Sequence, residues 1–324
     1  MKRSSRILAA ALLGLAGYVP SPIHADDFPK ETIRLILPFA PGGFPDVMGR
    51  VVAEKVAANT GVSVIVENKA GPGGMAMAGD LSRARPDGRT IFLVETSIYA
   101  ITPALVSNMP FDVMKDFSPV TLAMSGCLFL VKNANFAPNS VPELVEYAKK
   151  NPGLAYGSVA VGSSHHLAMA QFAKMAGLTM THVPYKGANE ATPAIVAGEV
   201  PLMFITLPSV QGHINAGKLK ILAAGSPQRS KLMPEVPTMA ELGFAGFESM
   251  TKLGFLVRAG TPAPIVARIN EEFGKALNTP EVQARVHAIG MEVEASSPDA
   301  FGTIIKSERT YYSDLIKQVG VKTY

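Results

Sequence analysis

Short runs of large apolar residues alternate along this chain with longer segments whose apolar residues recur every three to four positions. Residues 33–37, 90–95 and 202–205 are apolar runs of the length expected for buried strands. Residues 264–278 have the spacing of an amphipathic helix. Strands that alternate with helices in this way form a mostly parallel sheet with helices on both faces. The pattern therefore predicts an α/β fold.

The first strand leads through a glycine loop into a helix. Two prolines and two glycines between residues 38 and 43 prevent regular structure there. Pro45 suits the first turn of the helix, and Asp46 places a negative charge at the positive end of the helix dipole. Free N–H groups at such a helix end favour a bound anion, but a plain strand-to-helix connection fits this stretch equally well. The inward stripe predicted for the helix consists of Val47, Val51, Val52 and Val56.

A similar arrangement recurs near the middle of the chain. Residues 154–158 form a short strand, a loop of small residues follows, and residues 165–176 continue as a helix. If the two loops face each other across a cleft, two helix amino ends would hold a small anion without an Arg or Lys. Thr96 and Ser97 follow the third strand, where ligands of such sheets bind, and are either pocket residues or ordinary loop.

Two neighbouring features invite a metal-binding or enzymatic interpretation. His165 and His166 are adjacent, and adjacent residues on a helix diverge by about 100°, so they cannot both ligate one ion. No Asp or Glu lies nearby in sequence to orient an imidazole, so a structural role is favoured. Ser163 with either histidine would make an exported hydrolase, although the G-x-S-x-G motif is absent. This enzyme is the alternative from another functional class.

Four segments resemble motifs of the tripartite tricarboxylate transporter receptors, the Bug family of periplasmic solute-binding proteins. The four segments are P-F-A-P-G-G-x-x-D at 38–46, Y-G-S-V-A-V-G-S-S-H-H at 156–166, V-P-Y-K-G at 183–187 and I-N-A-G-K-L-K-I-L-A at 214–223. Each motif is weak by itself. Together they keep the family's order and spacing over essentially the whole mature chain.

The resemblance implies a two-lobed periplasmic binding protein of type II, a Venus flytrap with a ligand cleft between the lobes. Lobe 1 would comprise residues 26–124 plus 246–324, and lobe 2 residues 125–245. Such receptors bind a small carboxylate through loop N–H groups, hydroxyl groups and ordered waters, without catalysis or a cofactor. Their partners are a large and a small membrane permease subunit, and we expect a monomer. A receptor that signals to a membrane histidine kinase would share this fold, so that alternative stays open.

The residues expected to bind the ligand lie in these loops and at the strand ends. They are Ala40, Gly43, Phe44, Pro45, Thr96, Ser97, Ser158, Ala160, Gly162, Ser163, Ser164, Tyr185, Ile205 and Thr206.

The chain departs from its relatives at three of these positions. Relatives usually have small or hydroxyl residues where this chain has Phe44 and Pro45, and commonly an Asp at the position of Ile205. Apolar surface in place of polar partners predicts a carboxylate with an aromatic or otherwise apolar body. An amino-acid ammonium group would lack a counter-charge there. The alternative is that Phe44 points away from the cleft and that the ligand is an ordinary aliphatic dicarboxylate.

The composition argues against a nucleic-acid partner and against a disulfide within the chain. The formal net charge is +4, and no basic stripe with interleaved aromatic residues is present, so nucleic acid is not an expected partner. Cys127 is the only cysteine, which rules out a disulfide within the chain. It lies in the apolar run 127–131, so we expect a buried, unreactive thiol.

Residues 1–25 have the pattern of a secretory signal peptide. Three basic residues precede an apolar segment at 7–17, which is too short to span a bilayer comfortably, and Ala25 suits the position before cleavage. No later apolar run approaches the length of a membrane span. The sequence therefore predicts a soluble protein exported to the periplasm.

Overall fold

The computed structural model describes residues 30–321, so the predicted signal peptide at residues 1–25 lies outside the described residues. The strands are β1 Ile33–Leu37, β2 Val64–Asn68, β3 Thr90–Glu95, β4 Phe117–Asn133, β5 Leu154–Ser158, β6 Met180–Pro184, β7 Leu202–Thr206, β8 Leu219–Ala224, β9 Met250–Arg258 and β10 Glu292–Val293. The α-helices are α1 Phe44–Thr60, α2 Ala78–Arg83, α3 Thr102–Leu105, α4 Val113–Asp116, α5 Val141–Lys150, α6 Ser164–Ala176, α7 Ala188–Ala197, α8 Leu207–Asn215, α9 Ala263–Leu277, α10 Pro280–Ala288 and α11 Pro298–Val319.

The first half of the molecule is built on a sheet with the strand order β2-β1-β3-β9-β4-β10. β1 pairs in parallel with β2 and β3, whereas β9 runs antiparallel to β3 and β4. Ile33, Leu35 and Leu37 pack in one core with α1 and α9, and Ile36 packs in another core with α11. Because both faces are covered, the parallel strands are continuous apolar runs instead of alternating ones.

The second half of the molecule shares β4 with the first. Up to Cys127, β4 pairs with β9, and from Leu128 onward it pairs with β7 and β8. β5 and β6 form a separate parallel pair. The chain returns to the first sheet at Met250, where β9 begins. These changes in pairing lie close to the predicted boundaries after residues 124 and 245, and the exact residue bounds of the two lobes stay a prediction.

Most elements have the bounds that their local sequence predicted. β3 and β5 coincide with the runs at 90–95 and 154–158. Ser140 caps α5 by accepting a hydrogen bond from the N–H group of Glu143, at the start of a strongly amphipathic helix. The stripe predicted for α1 is wrong at Val47, which lies in the first helical turn and is 46% exposed, while Met48 is buried.

Helix α6 of the second half packs against α11 of the first. Leu167 is fully buried in the core that α11 covers, and the Tyr311 hydroxyl donates a hydrogen bond to Gln171 Oε1 (3.0 Å). A Cβ atom at Gly290 would lie 2.8 Å from the Cβ atom of Leu207 in the second half. The two halves therefore touch at two separate places in this conformation.

Cys127 is buried beside the point where β4 changes sheets. Burial raises the pKa of its thiol to about 11, so the thiolate is not formed near neutral pH. The expectation that Cys127 is buried is confirmed, and that its thiol is unreactive stays a prediction.

Candidate functional site

The predicted binding loops meet at the ends of three strands. β1 and β3 are parallel neighbours, so the loops after Leu37 and Glu95 leave the same edge of the first sheet. The loop after β5 reaches this edge from the other half, because a Cβ atom at Gly162 would lie 2.4 Å from Leu105 Cδ1. Leu105 ends α3, shortly after β3. The three loops therefore lie together between the two halves.

The amino end of α1 is open to an anion. Gly43 is the N-cap residue, and no side chain caps the first turn. The Asp46 carboxylate accepts a hydrogen bond from the Gly42 N–H group (2.8 Å), and it also accepts from Arg50 Nε (3.0 Å) and Asn68 Nδ2 (2.8 Å). Burial alone would raise the pKa of Asp46, but these hydrogen bonds outweigh it and lower the pKa. Asp46 therefore holds the glycine loop, and the first-turn N–H groups of α1 are left for a ligand.

The amino end of α6, unlike that of α1, is capped by the side chain of Ser163. The Ser163 hydroxyl accepts a hydrogen bond from the His166 N–H group (3.2 Å) and donates to the Ala160 carbonyl (2.8 Å). Ser158 is fully buried, donates to the same carbonyl (2.9 Å) and lies 2.7 Å from His182 Nε2. Both hydroxyls therefore hold the loop after β5 in its conformation by binding the Ala160 carbonyl. Among residues 30–321, no hydrogen bond joins the Ser163 hydroxyl to a histidine ring.

Two stacked histidines hold the loop after β5 in place through hydrogen bonds. The rings of His166 and His182 lie with centroids 3.8 Å apart and planes 7° apart, and Tyr156 stacks on His182 at 5.2 Å. His166 Nδ1 accepts a hydrogen bond from the Gly162 N–H group (3.0 Å), so the ring proton is on Nε2. Burial, and then the neighbouring His182, lower the pKa of His166 to about 4. His166 therefore acts as a neutral acceptor that fixes Gly162.

We expect the protein to lose stability as the pH falls below about 6.5. The pKa of His166 is about 4 in the folded protein and 6.5 without the fold, so between these values only the unfolded chain takes up the proton. The stabilisation is complete above pH 6.5 and is lost as the pH falls towards 4. For a buried ring it amounts to about 3 kcal/mol.

Urea denaturation at a series of pH values between 7.5 and 4 measures this loss. The unfolding free energy should fall with pH in the wild-type protein and fall less steeply in His166→Phe, which keeps an aromatic ring in the stack. His287 is exposed on α10, so His287→Gln serves as the matched control and should follow the wild type. Parallel curves for His166→Phe and wild type would contradict the assignment.

The two hydroxyl residues predicted at the end of β3 have different surroundings. Thr96 is 1% exposed. Its hydroxyl lies 3.1 Å from the Tyr99 hydroxyl and accepts a hydrogen bond from the backbone N–H group of Lys252 (3.1 Å). Ser97 is half-buried and donates a hydrogen bond to the carboxylate of Glu95. Thr96 is therefore bound within the fold, whereas Ser97 and Glu95 keep accessible surface at the strand end.

A buried ionic cluster lies behind this strand end. Lys252 of β9 forms ion pairs with Glu308 of α11 and with Glu248 (3.1 Å). Tyr99 donates a hydrogen bond to the other oxygen of Glu308 (2.6 Å). Burial alone would lower the pKa of Lys252, but the two carboxylates outweigh it and raise the pKa. The cluster joins α11 to the end of β3 and to the point where the chain returns to the first half.

The fourteen predicted site residues differ in how far they are buried. Exposed or half-buried are Ala40, Gly43, Phe44, Pro45, Ser97, Ala160, Ser163, Ser164, Tyr185 and Thr206. Thr96, Ser158, Gly162 and Ile205 are buried.

Ile205 and Phe44 contribute less apolar surface to the site than the sequence suggested. Ile205 is 0% exposed because β7 pairs it with Phe129 of β4 and it packs in the core of the second half. It therefore offers no surface to a ligand in this conformation, which corrects the expectation. Phe44 is half-buried and packs partly against the first core.

Sequence reasoning missed Glu95. It is the last residue of β3, whose preceding residues are all buried, and it is half-buried at the edge where the binding loops meet. A charged residue at the carboxyl end of a buried strand was the signal that could have identified it.

Comparisons with known proteins agree with this geometry. A family model described as Tripartite tricarboxylate transporter family receptor matches residues 48–321. BugT of Bordetella pertussis (strain Tohama I) is 32% identical over 322 residues, which cover 98% of this chain and 98% of BugT.

Two solved structures have similar folds and were determined with carboxylates. The R. palustris protein Rpa4515 with adipate is 29% identical, with a TM-score of 0.81 over 92% of this chain and 100% of that chain. MatC from Rhodopseudomonas palustris with bound malate is 27% identical, with a TM-score of 0.76 over 89% of this chain and 100% of that chain. The predicted two-lobed α/β fold is confirmed.

Proposed function

This chain belongs to the tripartite tricarboxylate transporter receptor family, and from this premise we propose that it captures a small carboxylate between its two halves. It would deliver this ligand to a membrane permease of one large and one small subunit. The observation that carries the proposal is the uncapped amino end of α1, which presents free N–H groups where the loops meet. The adipate and malate bound to the two R. palustris proteins support the ligand class.

We also propose that the receptor works in the periplasm as a monomer without a cofactor. The signal-peptide pattern at residues 1–25 supports export. Within residues 30–321, no group of three or more His, Cys, Asp or Glu side chains could hold a metal ion. Over the same residues, no helix is both long enough and apolar enough to span a bilayer.

The preference for an aromatic or apolar body stays a prediction, and it now depends on Phe44. This ring is half-buried, so only part of its surface is open to a ligand. Ile205 contributes nothing because it is fully buried.

A panel of carboxylates should contain at least one acid that stabilises the mature protein against heat. A ligand present at about 100 times its dissociation constant adds about 2.7 kcal/mol of stability. The panel comprises benzoate, adipate, malate, citrate and aspartate, and calorimetric titration then ranks the acids that bind. Absence of stabilisation by any carboxylate would contradict the proposed function.

A matched pair of substitutions at Phe44 separates its N–H group from its ring. Phe44→Pro removes the N–H group, and the extended Gly43 (ψ 162°) and the first helical position both accommodate proline. Affinity should fall by about 1.5–3 kcal/mol, the contribution of a hydrogen bond to a charged group. Phe44→Ala keeps the N–H group, so only aromatic acids should bind more weakly, by about 0.5–1.5 kcal/mol. Equal affinity of the two variants for every acid would place the anion elsewhere.

A further inference from the structure

Glu95 lies at the same edge and on the same face of the first sheet as the amino end of α1. Along β3, Ile91 and Leu93 pack in the core with α1, whereas Phe92 and Val94 pack in the core with α11. Successive side chains of a strand alternate between faces, so Glu95 follows Leu93 onto the α1 face. β1 and β3 are parallel neighbours, and a loop of six residues joins the end of β1 to the start of α1, at this same edge.

No cation offsets the charge of Glu95. Within residues 30–321, no Lys, Arg or His side chain forms an ion pair with it, and its hydrogen-bond partner is the Ser97 hydroxyl. Lys252, which lies on the adjacent strand β9, is instead paired with Glu248 and Glu308. Burial raises the pKa of Glu95, as expected for a carboxylate without a cation beside it.

We propose that Glu95 determines specificity by requiring a hydrogen-bond donor on the ligand, such as an ammonium or hydroxyl group, at the end away from the α1 N–H groups. The inference rests on the proposed function, because α1 holds the ligand carboxylate. The ionised form of Glu95 would repel a second carboxylate, whereas an ammonium or hydroxyl group would donate to its free oxygen and so stabilise this ionised form against burial. This reverses the expectation from the sequence that an ammonium group would lack a counter-charge in this cleft.

Calorimetric titration with chain-matched acids tests the inference. The probes are adipate, 6-aminohexanoate and 6-hydroxyhexanoate, together with succinate, 4-aminobutyrate and 4-hydroxybutyrate. In at least one length series, the wild-type protein should bind a donor-bearing monocarboxylate at least about tenfold more tightly than the dicarboxylate. Glu95→Gln keeps the shape and the Ser97 hydrogen bond, and it should raise dicarboxylate affinity about tenfold while weakening the ammonium acids.

Two further variants make the test specific to this carboxylate. Glu95→Asp keeps the charge and should preserve the wild-type ranking, which also guards against misfolding of the glutamine variant. Glu271→Gln removes an exposed carboxylate on α9 and should leave all affinities unchanged.

The possible results separate the inference from the proposed function. If dicarboxylates bind the wild-type protein most tightly and Phe44→Pro weakens them, the receptor function stands and the role of Glu95 is overturned. An unchanged ranking in Glu95→Gln overturns it equally. If none of the six acids binds the wild-type protein or Glu95→Gln, both the inference and the proposed function are contradicted for this ligand class.

Discussion

Replacing Lys252 with methionine should destabilise the folded protein by about 3–5 kcal/mol, because Glu308 would stay buried without its charge partner. Glu308 is 8% exposed, and its two oxygens are used by Lys252 and by the Tyr99 hydroxyl. Lys252 also pairs with Glu248 (3.1 Å), so the substitution removes the only cation from a cluster that contains two carboxylates among the described residues. The remaining tyrosine hydroxyl cannot neutralise them.

Urea denaturation at pH 7 measures the cost of this substitution, with Lys231→Met as the matched control. Lys231 is 84% exposed and pairs with Glu292 at 2.6 Å, so water screens this ion pair and its loss should cost far less stability than the loss of Lys252. The double variant Lys252→Met with Glu308→Gln should recover part of the loss, because no unpaired carboxylate is then left at that position. Similar losses for Lys252→Met and Lys231→Met would show that the cluster is not a stabilising feature.

The second large effect is expected from Gly162→Ala, which combines backbone strain with a collision between the two halves. Gly162 has a φ of +73°, and a Cβ atom there would lie 2.4 Å from Leu105 Cδ1. The left-handed backbone costs an alanine about 1–2 kcal/mol, and overpacking adds about 1–3 kcal/mol. Ligand affinity should fall as well, because either the loop that carries Gly162 or the buried Leu105 side chain must shift where the two halves meet.

Gly177→Ala isolates the collision from the strain. Gly177 ends α6 with a φ of +65°, and a Cβ atom there would meet nothing within 4 Å. The control should therefore show the stability loss from the backbone alone and unchanged ligand affinity. Leu105→Ala combined with Gly162→Ala should restore affinity but not the full stability. If Gly162→Ala and Gly177→Ala behave alike in both measurements, the contact between the halves has no functional role.

The local sequence was sufficient for most helices and strands. β5 has the predicted bounds because Pro152 and Gly153 end the preceding helix just before it, and such signals act within a few residues. β4 was not recognised as one strand of 17 residues. Its partners β7, β8 and β9 lie far along the chain, and only their pairing extends the strand through both sheets.

The loops that the sequence proposed as a binding site lie together in the fold, but the sequence did not predict how their polar groups are used. Ser163 and Ser158 were expected to face a ligand, yet both hydroxyls donate to the Ala160 carbonyl. His182, which lies 2.7 Å from the Ser158 hydroxyl, comes from a different strand. Such partners depend on how β5 and β6 pair, which local sequence does not specify.

The sequence by itself determined the family, the α/β elements and the positions of the loops, because apolar periodicity and turn residues act locally and the motifs keep their order. The tertiary structure alone decided which groups are available to a ligand. It buried Ile205 within a sheet, paired Lys252 with Glu308 and left Glu95 without a cation at the end of β3. Burial and charge pairing arise from residues that are distant in sequence and meet only in the fold, so no local pattern could assign them.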